Sequence, residues 1–411
     1  MRLQNSRFKM SGHLPGLDGV RGLAILMVMA IHFVGDSTPY TFGQRLVVKV
    51  AGYGLLGVDL FFVLSGFLIT GLLLDAKSRP HYFRNFYARR TLRIFPLYYL
   101  VLTASFVVLP QLANLTPTFE VARTHQAWLW SYTANFYIAA KSSWVALTYM
   151  SHFWSLAVEE HFYLMWPLVV FSFRREMLER ICIGVLAGGL ALRIAAALFG
   201  ASEVAISVLT PCRIDTLCVG GLLAVLARRE GGAEMLMRRA GKAALTLAAA
   251  ALIISAWCAT TKLGLLPLHQ VRNTVFALFF GALSLISLLP PSNPLARIFQ
   301  GAVLKFFGKY SYGLYVYHGI LTWYLQEIGL ERRLDALLGN HWLVIAVKAA
   351  GAVSVSVAVA VLSYQLFEKR FLALKRFFEA PEGVADDAAR ESRPTPAAIS
   401  AVPGIAGESD G

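Results

Sequence analysis

The amino-acid sequence predicts an all-α fold, a polytopic transmembrane helical bundle of about ten spans with both termini in the cytoplasm. Two observations carry this. Of 411 residues, 57% are hydrophobic and only 15% charged, less charge than a soluble domain carries. Apolar runs long enough to cross a bilayer recur from Leu17 to Phe371, separated by short basic clusters. The net charge of +14 would direct a soluble protein toward nucleic acid. Here the basic residues gather at the ends of apolar runs, which fits topology and anionic lipid, and no nucleic-acid partner is expected. Four cysteines, Cys182, Cys212, Cys218 and Cys258, sit in or beside apolar runs. Their spacing gives neither a zinc site nor a disulfide framework, so they are expected to be small core residues and no metal is expected.

The first apolar segment follows a short basic lead (Arg2, Arg7, Lys9), is interrupted by Arg21 and lacks a small-residue cleavage site. It is therefore expected to remain as the first span, Leu17–Val34. The next spans are placed at Tyr53–Leu74, Phe95–Gln111, Phe153–Phe171, Ile181–Leu198 and Val204–Leu226, followed by Ala243–Thr260, Val271–Leu289, Tyr310–Gln326 and Trp342–Leu366. With the N-terminus inside, the loop carrying Lys77, Arg79, Arg84, Arg89, Arg90 and Arg93 is cytoplasmic, as are the later clusters around Arg174, Arg228, Arg238, Lys305 and Lys369. The outer loops are poorer in Lys and Arg, as the positive-inside rule requires. The agreement depends on Trp128–Ile138 not spanning. That segment belongs to an outer loop, Leu112 to Ser151, rich in aromatics (Trp128, Trp130, Tyr132, Tyr137, Trp144). These are either interfacial anchors or a wall over a substrate pocket. The domain reading is a cytoplasmic segment at 1–15, a transmembrane domain at 16–371 and a disordered cytoplasmic tail at 372–411, where Ala, Pro, Gly, Ser, Asp and Glu take over.

Polar residues inside the spans are the candidate site. Arg21 and His32 lie eleven residues apart with no charge between them, which puts them on one helix face about 16 Å apart. Charged groups tolerated at that cost usually mark a site or a substrate path. Arg21 alone reads equally as a snorkelling anchor, and His32 as a hydrogen-bonded core histidine. Arg90 and Arg93 share a face at the cytoplasmic start of the third span, where guanidinium groups suit phosphates. Plain positive-inside retention is the alternative. Glu159 and Glu160 enter the fourth span from outside in Ser151-His-Phe-Trp-Ser155-Leu-Ala-Val-Glu159-Glu160. They could orient a histidine or pair structurally with Arg213. Asp59, Arg213, Asp215 and His318 lie in three further spans; each alone suggests an interhelical clasp, and together they suggest a shared cavity lined for substrate.

These motifs, in this order, resemble the acyltransferase 3 family of membrane O-acyltransferases. The likeness runs from about His13 to Phe371. It rests on the Arg21-x10-His32 pair, the Val58-Asp-Leu-Phe-Phe-Val-Leu-Ser-Gly-Phe67 segment, Arg90-x-x-Arg93, Trp154-Ser-Leu-x-Val-Glu-Glu160 and Ser311-Tyr-Gly-Leu-Tyr315. The resemblance implies a multi-pass protein of the bacterial inner (plasma) membrane. It implies transfer of an acyl group, often acetyl, from cytoplasmic acyl-CoA (acetyl-CoA) to a hydroxyl of a saccharide or glycoconjugate, such as a cell-surface polysaccharide, lipopolysaccharide or peptidoglycan. Some relatives carry a fused extracytoplasmic esterase-like domain, and none is expected after the short tail here.

Combining the resemblance with the residues gives one scheme. Arg90 and Arg93, with Arg21, hold the CoA phosphates at the cytoplasmic mouth. His32 is the general base, and Glu159 or Glu160 orients it or binds sugar hydroxyls. An acyl-histidine route stays open, and no oxyanion donor is identified. The competing class is a transporter or permease for a sugar-like or anionic solute, its path lined by the same polar residues. The absence of a visible internal repeat and the cytoplasmic arginine pair weigh against it.

Overall fold

The structure is a computed structural model that describes residues 14–260 and 266–378. The expected N-terminal segment up to residue 13 and the tail from 379 lie outside the described residues. Among the described residues every regular element is helical. We number the principal helices α1 (Pro15–Ala30), α2 (Phe42–Gly52), α3 (Leu56–Ala76), α4 (Tyr82–Thr103), α5 (Trp154–Ser172), α6 (Arg175–Leu198), α7 (Ile214–Leu226), α8 (Gly232–Thr260), α9 (Leu266–Ser287), α10 (Ala302–Glu327), α11 (Leu330–Leu338) and α12 (His341–Ser363).

Seven helical stretches among the described residues are long and apolar enough to cross a membrane: Pro15–Gly35, Phe42–Ala76, Tyr82–Leu112, Arg175–Leu198, Gly232–Cys258, Pro267–Ser287 and His341–Phe378. Each contains or overlaps one of the predicted spans. The three predicted spans outside this set are α5, α10 and the stretch Val204–Leu226. That stretch is broken at Pro211 into Glu203–Val208, a tight turn at Thr210–Cys212 and α7, which has 13 residues. A proline cannot donate to the helix ladder, and α7 alone is about 20 Å long. Helices α5 and α10 are long enough but carry the polar residues. Polar residues are tolerated on a helix face that packs against protein, because lipid does not meet that face. α10 accordingly buries Tyr310, Ser311, His318 and Thr322.

Two helix pairs form the frame, α1 against α10 and α3 against α7. The second is set by glycine. A Cβ added at Gly66 would strike the Leu217 carbonyl, and one at Gly220 the Val63 carbonyl. Small residues let membrane helices approach this closely where apolar burial cannot drive association. Gly66→Val or Gly220→Val must push the pair apart. The expected loss is about 1–3 kcal/mol, seen as a lower unfolding temperature in detergent. Gly184→Val, where a Cβ meets nothing within 4 Å, should shift it far less.

The loop from Leu112 to Ser151 holds no helix long enough to span. Trp128–Ile138 is divided between Ala127–Trp130 and Ala134–Lys141, of 4 and 8 residues. Several of its aromatics point inward: Tyr132 stacks on Tyr98 at 4.2 Å and Trp130 on Tyr99 at 5.8 Å. Trp128 and Trp144 stay exposed. At the other end, the helical chain runs on past Phe371 through Leu374–Phe378. The ordered region is therefore longer than the sequence boundary at 371, and Lys375 joins the site described next.

Candidate active site

The α-helix of α1 gives way to a π-turn at Ile31–Gly35, a distortion frequent at functional sites, and His32 is its second residue. His32 Nδ1 lies 2.8 Å from the Val28 carbonyl oxygen. A carbonyl can only accept, so Nδ1 carries the proton and Nε2 keeps its lone pair free. The His32 ring meets His318 of α10 edge-on at 4.8 Å, and His318 meets His152 at 5.1 Å. Each of these neighbours is also tied to backbone. His318 Nδ1 donates to the Tyr315 carbonyl at 2.7 Å, and His152 Nε2 to the Val316 carbonyl at 3.1 Å. His318 is fully buried, and its Nε2 has no hydrogen-bond partner. Buried acceptors are rarely left so.

His32 opens on a cavity of about 300 Å³, on the face that the expected topology puts outside, with Asp36, Tyr40, Gln326, Glu331, Asp335 and Lys348. Its rim is braced by ion pairs. Lys348 bonds Glu331 and, at 2.6 Å, Ser37, while His341 Nδ1 sits 2.6 Å from Asp335. Beside Asp335 the Tyr40 phenol titrates above its ordinary range.

The arginines lie elsewhere. Arg21, Arg90 and Arg93 share an inner chamber of about 200 Å³ with Glu159, Glu160 and Tyr163, between walls that include Phe61, Leu68 and Ile69. Arg90 and Arg93 also line a second cavity of about 300 Å³ with Arg79, Arg89 and Lys375, on the face assigned to the cytoplasm. Arg90 lies over the Phe86 and Tyr163 rings at 5.8 and 5.6 Å. Glu160 Oε1 is buried without a hydrogen-bond partner. The roof of the chamber is Ser155 and Tyr315, whose hydroxyls lie 2.5 Å apart, with Tyr315 Oη donating to the His152 carbonyl at 2.9 Å. The chamber and the histidine cluster therefore adjoin through this pair.

One expected contact is not formed. Glu159 and Glu160 line the inner chamber with the arginines, whereas His32 lines the outer cavity. The reason is depth along α5: Glu159 lies seven residues beyond His152, about 10 Å further in. His152, at the helix entrance, is the residue that reaches the level of His32 through His318. The sequence placed His152 beside the carboxylates but gave no sign of its partners.

The alternative pairing of the glutamates with Arg213 is not seen either. Arg213 pairs with Asp59 at 2.5 Å and lies over the Phe62 and Trp154 rings at 5.4 and 5.9 Å. Asp215 pairs with Arg193 at 2.8 Å, and Arg193 also donates to Thr274 at 2.6 Å and to the Cys212 carbonyl at 3.3 Å. Both members of that second pair are almost fully buried, and neither lines any of the cavities described here. Asp59 and Arg213, in contrast, open on a fourth cavity. Arg193 was legible as a lone charge in an apolar run and went unassigned. No group of three or more His, Cys, Asp or Glu is placed to hold a metal ion among the described residues.

A profile of the acyltransferase 3 family, described as an acyltransferase domain, matches residues 14–361. The chain belongs to this family. Among curated relatives, "Putative peptidoglycan O-acetyltransferase YrhL" of Bacillus subtilis is 29% identical over 352 residues, covering 77% of this chain and 50% of the relative. "Peptidoglycan O-acetyltransferase OatA" of Listeria monocytogenes is 27% identical over 321 residues, covering 74% and 49%. A "Putative O-acetyltransferase" of Staphylococcus aureus is 24% identical over 388 residues, covering 89% and 58%. The chain thus spans about half the length of the curated relatives it matches. No solved structure matches it significantly. In this acyltransferase-family chain, the family match covers all of the histidine cluster and the arginine-lined chamber.

Proposed function

We propose that the chain is a multi-pass membrane O-acyltransferase that moves an acyl group, acetyl in the first instance, from cytoplasmic acyl-CoA to a saccharide hydroxyl on the outer side. Ten crossings, α5, α7 and α10 among them, put both ends of residues 16–371 in the cytoplasm. The membrane is the bacterial inner membrane. The observation that carries the reading is the order of the site along the bundle. An arginine-lined cavity is followed by a chamber, then by the Ser155–Tyr315 pair and the histidine cluster, and last by an outer cavity bearing His32.

In this scheme Arg89, Arg90, Arg93 and Lys375 hold the CoA phosphates, guanidinium forks suiting phosphate geometry. The pantetheine arm lies along the apolar wall of the inner chamber. Glu159 and Glu160 balance the arginines and accept hydrogen bonds from its amides. The thioester reaches the histidine level past Ser155 and Tyr315. His32 Nε2 takes the proton of the acceptor hydroxyl as the oxygen attacks the thioester carbonyl. The C–S bond then breaks, the acyl ester remains on the acceptor, and the imidazolium proton goes to the departing CoA thiolate. His318 Nε2, unpartnered at rest, accepts a hydrogen bond during this step.

The donor half is tested by binding alone. Arg90→Gln and Arg93→Gln each remove a charge-assisted contact, and each should weaken acetyl-CoA affinity by about 10–100-fold. Thermal stabilisation of the purified protein by acetyl-CoA measures this. Stabilisation that is undiminished in both variants would remove the phosphate-binding role. A transporter of an unrelated solute would show no stabilisation in the unaltered chain.

A further inference from the structure

The outer cavity beside Asp59 and Arg213, of about 330 Å³, is separate from the one that His32 lines. Lys49, Asp59, Trp144, Trp154, Arg213 and Arg272 are among its walls, with Glu203 at the edge. The Asp59–Arg213 pair cancels its own charge. Lys49 and Arg272, by contrast, make no ion pair among the described residues, and together they outweigh Glu203. Arg272 bonds the neighbouring Asn273 at 3.3 Å through Nη2, while its Nε is buried with no partner. The Nε of Arg213, a residue only 5% exposed, is likewise buried and unpartnered. Two arginines that line one cavity thus each keep a buried Nε without an acceptor, and a buried donor without a partner is costly. Trp144 and Trp154 meet at 6.1 Å with their planes inclined at 58°, and Trp144 is 39% exposed. Such faces suit the apolar side of a sugar ring, and an arginine fork suits a carboxylate.

We infer that this cavity is a subsite for a carboxylate-bearing pyranose of the acceptor, its ring against the tryptophans and its carboxylate on Arg272 and Lys49. The inference rests on the outer-side saccharide acceptor proposed above and adds its chemical class. A neutral sugar could accept hydrogen bonds here but would leave the charge of Lys49 and Arg272 unbalanced. The carboxylate would also hold an acceptor chain in register while a different residue of that chain offers its hydroxyl to His32.

The test is binding, read by tryptophan fluorescence and calorimetry on the full chain in phosphatidylcholine nanodiscs. Trigalacturonic acid is the probe and maltotriose the neutral control. Trigalacturonate should bind and maltotriose should not. Arg272→Gln and Trp144→Ala should each weaken binding by about tenfold, and added salt should weaken it further. Retained stabilisation by acetyl-CoA checks that the variants fold. Arg272→Lys, which keeps the charge and loses the fork, carries the test if Arg272→Gln does not fold. Equal binding of the two trisaccharides, or unchanged affinity in the Arg272 and Trp144 variants, would overturn the subsite. So would loss of trigalacturonate binding when phosphatidylglycerol is introduced, since a lipid headgroup would then be the occupant. Uronate binding without acyl transfer to any acceptor would overturn the enzymatic reading and leave the subsite standing. Transfer with no preference for uronates would overturn the subsite alone.

Discussion

His32→Ala is expected to lower acyl transfer by about 10²–10⁴-fold, the range for loss of a positioned general base, while acetyl-CoA still stabilises the protein. The separation follows from position. His32 lines the outer cavity, and the arginines line the inner ones, so removing the imidazole takes away the proposed base without touching the arginines proposed to hold the donor's phosphates. His32→Gln should be equally inactive, because an amide cannot take the acceptor's proton. The measurement is transfer of radiolabelled acetyl from acetyl-CoA into glycan by the reconstituted protein, beside a thermal shift with acetyl-CoA. Transfer within a fewfold of the unaltered chain, in a variant that still takes up acetyl-CoA, would exclude His32 as the base. His318→Ala should fall between His32→Ala and the unaltered chain, since that ring packs against one side of His32 but does not itself take the acceptor's proton.

The second large effect is on stability. Arg193→Met leaves the Asp215 carboxylate almost fully buried without its partner, and Asp215→Leu does the same to Arg193. Breaking a buried pair from one side costs about 3–5 kcal/mol, enough to lower the unfolding temperature sharply or prevent recovery of folded protein. The double variant Arg193→Met with Asp215→Leu should regain much of that loss, because no charge is then left alone in the bundle. Glu234 and Arg238, an exposed pair with side chains 64% and 73% accessible, give the contrast: breaking it should cost well under 1 kcal/mol. If the Arg193 and Asp215 single variants were as mild as the surface pair, the pair would not be holding α6 to α7.

The helical architecture was legible because apolar run length and basic flanks are local properties. Arg21, His32, Arg90, Arg93, Glu159 and Glu160 stood out for a related reason: a charge inside an apolar run is visible without its neighbours. The interruption of Val204–Leu226 was signalled by Pro211, yet hydropathy averaged across it. His152 and Arg193 were also visible as residues, but their meaning depended on helices far away in sequence. The pairing of Arg213 with Asp59, and of Arg193 with Asp215, could not be read at all, since either arginine could have met either aspartate.

The sequence by itself determined that this is a membrane helical bundle of the acyltransferase 3 family. It also determined which residues are polar within the bundle, because desolvation makes each of them conspicuous one at a time. Only the tertiary structure decided the grouping. It sent Glu159 and Glu160 to the arginines, gave His32 the company of His318 and His152, and put Arg272 and Arg213 in one cavity with two tryptophans. Depth along one helix follows from counting residues. Adjacency between helices depends on which faces pack together, and here backbone contact at Gly66 and Gly220 sets how closely α3 and α7 do so.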